Sequence, residues 1–341
     1  MLASGKERKL MEEEIILKAE NISEIFPVKG FLGQKGEVRA VDGVSLEIRK
    51  GENYGLVGES GCGKSTLGRC LLRLIEPTSG QIFFKGENLR EKKGTSLRKM
   101  RQKMQMVFQD PYLSLDPKKR VGYTLMEALK IHGLGTEDER FSAALEIMKK
   151  VGFREEHFFR YPHEFSGGQR QRIGLARALI LEPELIVCDE PVSALDVSVQ
   201  AQIINLMEDI QKETRVSYLF ITHNMSVVKH ISHRIGVMYL GHLVEEGTTE
   251  EVFGEAAHPY TQALLSAVAS PNPHIKKKHI VLKGEVPSPL NVPKGCVFST
   301  RCPYCRKECL EKRPDLVRLP GRESHKAACI LPFLGKEGPE T

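Results

Sequence analysis

The sequence predicts an α/β fold organised around a parallel β-sheet, and three observations predict it. The short, largely apolar run ENYGLV (52–57) leads into the glycine-rich GESGCGKST (58–66) and then into TLGRCLLRLI (66–75), whose apolar residues fall at helical spacing. A buried strand therefore passes through a loop into a helix N-terminus. Two further apolar runs, LIVCDE (185–190) and SYLFIT (217–222), have the length and content of buried parallel strands and deliver Asp189, Glu190 and His223 to one edge. Finally, 341 residues leave room for one large α/β core and a smaller second region.

Each element carries a chemical implication. Gly58 and Gly63 allow a tight loop whose backbone N–H groups point inward, Lys64 brings positive charge to β- and γ-phosphates, and Ser65 offers a hydroxyl to Mg²⁺. This is a P-loop, and it points to a nucleotide triphosphate. Binding alone does not hydrolyse, so a metal carboxylate and a group that activates water are also expected. Asp189 is the candidate for the metal and Glu190 for the γ-phosphate end. His223 would reach the γ-phosphate from the same edge, and Gln109, after MQMVF (104–108), would reach the metal or the attacking water.

In FSGGQRQRIGLARALI (165–180), Ser166, Gly167 and Gly168 open a helix, with Ile173, Ala176 and Ile180 on one face. Such a helix tip is a second anion site. One nucleotide does not need two on one surface, so the phosphate chain is expected to be gripped from both sides when two modules meet. Residues 111–165 read as mostly helical, from TLMEALKIHG (124–133) and SAALEIMKKVG (142–152).

Composition narrows the setting. Net charge is +6 with both signs interspersed, too weak a bias for nucleic acid. No apolar stretch approaches the roughly 18 residues of a membrane span, and the charged GKERKLMEEE (5–14) has no signal-peptide core, so a cytoplasmic protein is expected. The basic run Lys276–Lys278 reads as a solvated linker face, with an anionic membrane surface as the alternative, and the absence of a second P-loop predicts one nucleotide-binding module. Cys62, Cys70 and Cys188 read as small buried thiols, whereas Cys296, Cys302, Cys305, Cys309 and Cys329 crowd the C-terminal region.

The ordered set GESGCGKST, Gln109 in VFQDP, FSGGQ, LIVCDE, SALD (193–196) and His223 resembles the ATP-binding subunits of ABC transporters over about residues 14–255. The resemblance implies a P-loop NTPase with a RecA-like core, an antiparallel β subdomain and a helical subdomain at about 111–165 that docks onto membrane subunits. It also implies an ABC ATP-binding domain at 1–255 and a small Cys-rich C-terminal domain at 256–341.

In that family ATP lies between the P-loop of one subunit and the signature of the other in a head-to-tail dimer. Gly58, Ser60, Gly61, Cys62, Gly63, Lys64, Ser65 and Thr66 would then hold phosphates and Mg²⁺. Gln109 and Asp189 would complete the metal site, with Glu190 as general base and His223 as γ-phosphate sensor. Ser166, Gly167, Gly168 and Gln169 would act on the partner's nucleotide, and Asp196 would lie in the loop that crosses the dimer. The adenine-stacking aromatic best matches Phe26, upstream of a stretch, Val28 to Val38, that reads as a longer loop than usual. Phe165 replaces the commoner Leu of the signature, with little effect expected on chemistry.

VDGVSLEI (41–48), LGRCLLRLIEPTSG (67–80), FQDPYLSLDP (108–117) and HPYTQALLSAVASPNP (258–273) narrow the resemblance to the oligopeptide/dipeptide permease branch, its second ATPase subunit type. The implied role is to power peptide import from the cytoplasmic face of the membrane. The implied partners are a second, different ATPase subunit, two integral membrane permease subunits and, indirectly, an extracytoplasmic peptide-binding protein.

The Pro- and Gly-rich spacing SPNPHIKKKH and GEVPSPLNVPKG leaves few apolar residues for a core in the tail, so a staple is expected there, thiolates on a metal rather than disulfides. Four thiolates suit zinc or iron–sulfur equally on spacing. The resemblance implies a 4Fe-4S cluster on Cys296, Cys302, Cys309 and Cys329, with Cys305 and His325 as extra candidates. Cys302-Pro-Tyr-Cys305 has the letters of a redox pair, but no strand leads into it. Two other functions remain open at this level: a soluble ABC ATPase acting on nucleic acid or ribosomes, and an iron–sulfur redox sensor.

Overall fold

The computed structural model describes residues 14–29, 35–193, 195–268 and 279–333, so the basic run Lys276–Lys278 lies outside the described residues. In chain order the strands are β1 Ile15–Lys29, β2 Lys35–Arg49, β3 Asn53–Val57, β4 Ser79–Phe84, β5 Glu87–Asn88, β6 Met104–Val107, β7 Leu185–Asp189, β8 Ser217–Thr222, β9 Arg234–Tyr239, β10 His242–Thr248, β11 Val317–Arg318 and β12 Lys326–Ala327. The main helices are α1 Lys64–Leu71, α2 Val121–His132, α3 Glu137–Lys150, α4 Gly167–Leu179, α5 Val197–Thr214, α6 Met225–Ile231 and α7 Pro259–Ser266. Two compact units result, one built mainly from Phe83–Ile221, the other mainly from Lys18–Leu46, Tyr54–Ile82 and the chain from Thr222 onward.

In the first unit β8, β7 and β6 lie in that order as a parallel set, with Met104 opposite Leu185 and Asp189 opposite Ile221. Every residue of β7 and β8 is buried, which explains why both read as unbroken apolar runs. Helices α2, α3 and α4 share a core that includes Leu125, Ala144, Met148, Phe158, Ile173 and Ala176, with Phe165 beside it. Gly122 is required within it, because a methyl group there would lie 2.2 Å from the Phe158 ring. Helix α3 begins in a capping box: Thr136 N donates to Glu139 Oε2 at 2.6 Å and Glu139 N to Thr136 Oγ1 at 3.4 Å.

In the second unit the strand order is β11-β12-β10-β9-β3, with β3 parallel to β9 and β10 antiparallel to both β9 and β12. Leu240 and Gly241, both at positive φ, make the tight β9–β10 turn. A separate sheet has the order β2-β1-β4-β5. Two sequence expectations change here. The loop foreseen between Val28 and Val38 is shorter, since β1 runs to Lys29 and β2 begins at Lys35. The helix foreseen over 66–75 stops at Leu71, because Arg73 turns left-handed at φ 48°, Leu74 N bonds back to Arg69 O at 2.8 Å, and the Arg73 guanidinium closes on Glu76 at 2.6 Å.

The tail's apolar residues do not make a core of their own. Val297, Phe298, Cys296 and Cys309 pack with Val57, Ile235, Tyr239 and Tyr260. Two adjacent buried carboxylates on β10 bind the tail strand and its surroundings. Glu246 takes Tyr54 Oη at 3.0 Å, Arg234 at 2.8 Å and Lys326 at 2.8 Å. Glu245 takes the backbone N–H groups of Ala257 (2.8 Å) and His258 (2.9 Å) and lies 2.7 Å from His325 Nε2. Buried carboxylates are tolerated only when so fully paired.

Candidate functional site

The phosphate-type loop belongs to the second unit. Strand β3, wholly buried, ends at Val57, and α1 begins at Lys64 with Gly63 as its N-cap residue at φ 101°. A Cβ on Gly63 would fall 1.9 Å from Ala40 O, and one on Gly58 would fall 2.1 Å from Met238 O, so neither position admits a side chain. Lys64 is buried, and its ammonium donates to Gly58 O and Glu59 O, each at 2.8 Å, and approaches Cys62 Sγ at 3.6 Å. Burial pushes the Cys62 thiol up despite the neighbouring Lys64, leaving it protonated. Ser65 and Thr66 occupy the first turn of α1, the end of a helix toward which anions are drawn.

The loop also has partners that sequence reading did not find. Glu59 N donates to Tyr260 Oη at 2.8 Å, and the Glu59 carboxylate is bridged by Arg301 Nη1 at 2.9 and 3.2 Å. Nothing local announces these contacts, because the partners are 201 and 242 residues away. In the same unit Phe26 stands on β1 with its ring partly exposed, and His223 is exposed just before Asn224, whose side chain caps α6 by accepting from Ser226 N and Val227 N.

The first unit carries the acids and the signature. Gln109 follows β6 and Glu190 follows β7, and these neighbouring parallel strands bring them together: Gln109 Nε2 donates to Glu190 Oε2 at 3.0 Å. Glu190 sits at φ 46°, an unusual conformation for a residue with a Cβ, held by its N–H on Ile221 O at 2.9 Å and its own carbonyl under Ser193 Oγ at 3.1 Å. Asp189, one residue earlier, is buried at the strand end.

Ser166 is the N-cap of α4 and forms a capping box with Gln169. Gln169 N donates to Ser166 Oγ at 3.4 Å and Ser166 N to Gln169 Oε1 at 2.9 Å. The S-x-x-Q spacing of such a box is visible in the sequence, and it gives Gln169 a local task that sequence reading missed. Gly168 has no room for a methyl, which would lie 2.4 Å from Val199. Phe165 is buried, its ring edge-on to Phe153 at 5.6 Å, so it serves the helical core rather than the exposed tip. Asp196 precedes α5 with its side chain exposed and making no cap bond.

The C-terminal thiols gather in the second unit. Cys296, Cys309 and Cys329 are buried and Cys302 half-buried, and all eight cysteines of the chain are free. Cys296 N donates to Cys309 O at 2.7 Å. Burial pushes Cys302 up to about 12 and Cys329 to about 11, and neighbouring thiols of the group add to both shifts. Among the described residues no group of three or more His, Cys, Asp or Glu side chains is placed to hold a metal ion, so the thiolate–metal staple expected on Cys296, Cys302, Cys309 and Cys329 finds no support in this geometry. The segment around Cys302 and Cys305 consists of turns, with no strand feeding it. Among the described residues no helix is long and apolar enough to cross a membrane.

Comparison with known proteins fits this geometry. The family profile described as ABC transporter matches residues 41–193, and one described as the C-terminal region of oligopeptide/dipeptide transporters matches residues 244–309. The oligopeptide transport ATP-binding protein AppF of Bacillus subtilis is 52% identical over 324 residues, 94% of this chain and 98% of its own length. The dipeptide transport ATP-binding protein DppF of Escherichia coli is 48% identical over 305 residues, 89% of this chain and 91% of its own. Among solved structures, a dimeric ATP-binding cassette in a post-hydrolysis state with ADP and Pi superposes with a TM-score of 0.61 at 28% identity, over 68% of this chain and 98% of that one. The cbiO1 component of a Clostridium perfringens ABC transporter complex gives 0.62 at 28% identity, over 71% and 92%.

Proposed function

The chain belongs to the ATP-binding subunits of ABC transporters of the oligopeptide/dipeptide branch, and on that premise we propose that it hydrolyses MgATP at the cytoplasmic face of a membrane to drive peptide import. The observation that carries this reading is the loop from Gly58 to Thr66. There a buried ammonium rests on backbone carbonyls, at the head of a helix, where glycines leave no space for side chains. Such a loop is shaped for a triphosphate.

In this reading Ser60, Gly61, Cys62 and Gly63 present backbone to the phosphates and Lys64 moves from its own loop's carbonyls onto the β- and γ-oxygens. Ser65, Gln109 and Asp189 supply the oxygen donors that suit Mg²⁺, which when bound neutralises charge on those phosphates. Glu190 takes the proton of the attacking water, its carboxylate oriented by the Gln109 amide. His223 contacts the γ-phosphate and Phe26 stacks on adenine. Ser166, Gly167, Gly168 and Gln169 address the nucleotide held by a second, different ATPase subunit, with Asp196 in the loop between subunits. Two integral membrane permease subunits and an extracytoplasmic peptide-binding protein complete the assembly.

Deleting this chain from cells is expected to abolish uptake of labelled di- and oligopeptides, and the unmutated chain to restore it while integral membrane proteins co-purify. Uptake that survives deletion, together with ribosome or DNA association of the purified chain, would remove the transport reading.

The same reading extends to a 4Fe-4S cluster on Cys296, Cys302, Cys309 and Cys329. Its support is the donor set: Cys296, Cys309 and Cys329 are buried and Cys302 half-buried, all are free thiols, and Cys296 N donates to Cys309 O at 2.7 Å. Zinc on the same four thiolates is the alternative. Protein purified anaerobically is expected to carry iron and the visible absorbance of a cluster, with Cys309→Ser losing both; iron-free protein of full stability would sink the assignment.

A further inference from the structure

Glu59 places a carboxylate inside the loop read above as a triphosphate cradle, where an unanswered negative charge opposes the anion to be bound. The C-terminal part of the chain answers that charge. Arg301 Nη1 bridges both Glu59 oxygens at 2.9 and 3.2 Å, its side chain 10% exposed, and also approaches Tyr239 Oη at 3.5 Å. The Glu59 N–H goes to Tyr260 Oη, while its carbonyl receives Lys64. All three polar groups of this residue are thus held, two of them by side chains that follow β10.

Both of those side chains are themselves fixed. Tyr260 N donates to His258 Nδ1 at 3.1 Å. Burial pushes His258 down to about 4, with the nearby Glu245 opposing, so the ring is neutral near pH 7 and its Nδ1 can accept. Arg301 N bonds to Phe298 O at 3.0 Å, and the buried Phe298 ring packs 5.3 Å from Tyr239 and 5.4 Å from Tyr260. Glu245, His258 and Tyr260 on one side, and Phe298 and Arg301 on the other, form a continuous path from the tail-bearing sheet to the loop.

We infer that Arg301 and Tyr260 are positioning residues of the phosphate loop, through which the C-terminal region sets this chain's affinity for MgATP. Arg301 cancels the Glu59 charge beside the triphosphate, and Tyr260 holds the Glu59 backbone so that the loop keeps its inward-facing N–H groups. The inference rests on the ATP reading of the loop.

Isothermal titration of the full chain with MgATP, beside thermal unfolding of the nucleotide-free protein, tests it. Arg301→Met is expected to raise Kd about tenfold, because a carboxylate loses its partner next to an anion site. Glu59→Gln is expected to lower Kd about threefold by leaving the guanidinium to face the phosphates. The double variant should return to within about threefold of the unmutated Kd. Arg301→Lys, which keeps the charge but not the fork, should recover most of the affinity. Arg301→Gln carries the same test should the Met variant not fold.

A brace that acted only through stability would not be repaired by Glu59→Gln. A double variant as weak as Arg301→Met, or an unaltered Kd in Arg301→Met, overturns the inference. An unmutated chain that binds no MgATP overturns the ATP reading instead, and this inference with it.

Discussion

Glu190→Gln is expected to bind MgATP with near-normal affinity while phosphate release falls by on the order of a thousandfold, the scale of a lost general base. The substitution keeps the side chain's size and its acceptor oxygen, so Gln109 Nε2 retains a partner and the left-handed turn at φ 46° stays anchored on Ile221 O. What disappears is the negative charge and the proton acceptor. With hydrolysis blocked, the ATP-bound dimer should accumulate on size-exclusion chromatography, because turnover is what would separate the subunits. Turnover within tenfold of the unmutated protein would mean that another group takes the proton.

Gly63→Ala is expected to abolish measurable MgATP binding and to lower stability by about 3 kcal/mol or more. The added carbon meets a backbone carbonyl, Ala40 O at 1.9 Å, so the loop itself has to move, and φ 101° is strained for any residue with a Cβ. Gly61→Ala is the internal comparison. Its φ of 78° carries a similar backbone penalty, but nothing lies within 4 Å of the new carbon. It should lose about 1–2 kcal/mol and keep the loop in place. Equal behaviour of the two variants in chemical denaturation and nucleotide titration would show that steric closure by the Ala40 strand is not what shapes the cradle.

The site residues differ in how far they could be seen beforehand. Gly58, Lys64, Asp189 and Ser166 belong to motifs a few residues long, in which strand end, loop and helix tip follow directly from apolar run length, glycine spacing and capping chemistry. β7 and β8 were legible for the same reason, since a strand buried on both faces has no polar alternation to obscure it. Gln109 and Glu190 could each be suspected, but their 3.0 Å hydrogen bond depends on β6 and β7 being adjacent, which no stretch of sequence states. The early stop of α1 at Leu71 was hidden because Arg73 is an ordinary helix former until Glu76 captures it.

Glu59, Tyr260 and Arg301 lay outside reach altogether. Glu59 occupies an unspecified position of a glycine-rich motif, and Arg301, beside Cys302, belongs to no motif at all.

The phosphate loop, the acidic strand ends and the capped helix tip, and their order along the chain, follow from the amino acids alone, because each is a local structure set by short-range sterics and hydrogen bonding. The tertiary structure alone decided that the tail shares its core with Tyr239 and Tyr260 and that Arg301 reaches the loop. The Arg301–Glu59 pair closes across 242 residues and the packing of Phe298 on Tyr239 and Tyr260 across a few tens, and both form because burying Phe298 and pairing Glu245 and Glu246 lowers the free energy of the whole unit.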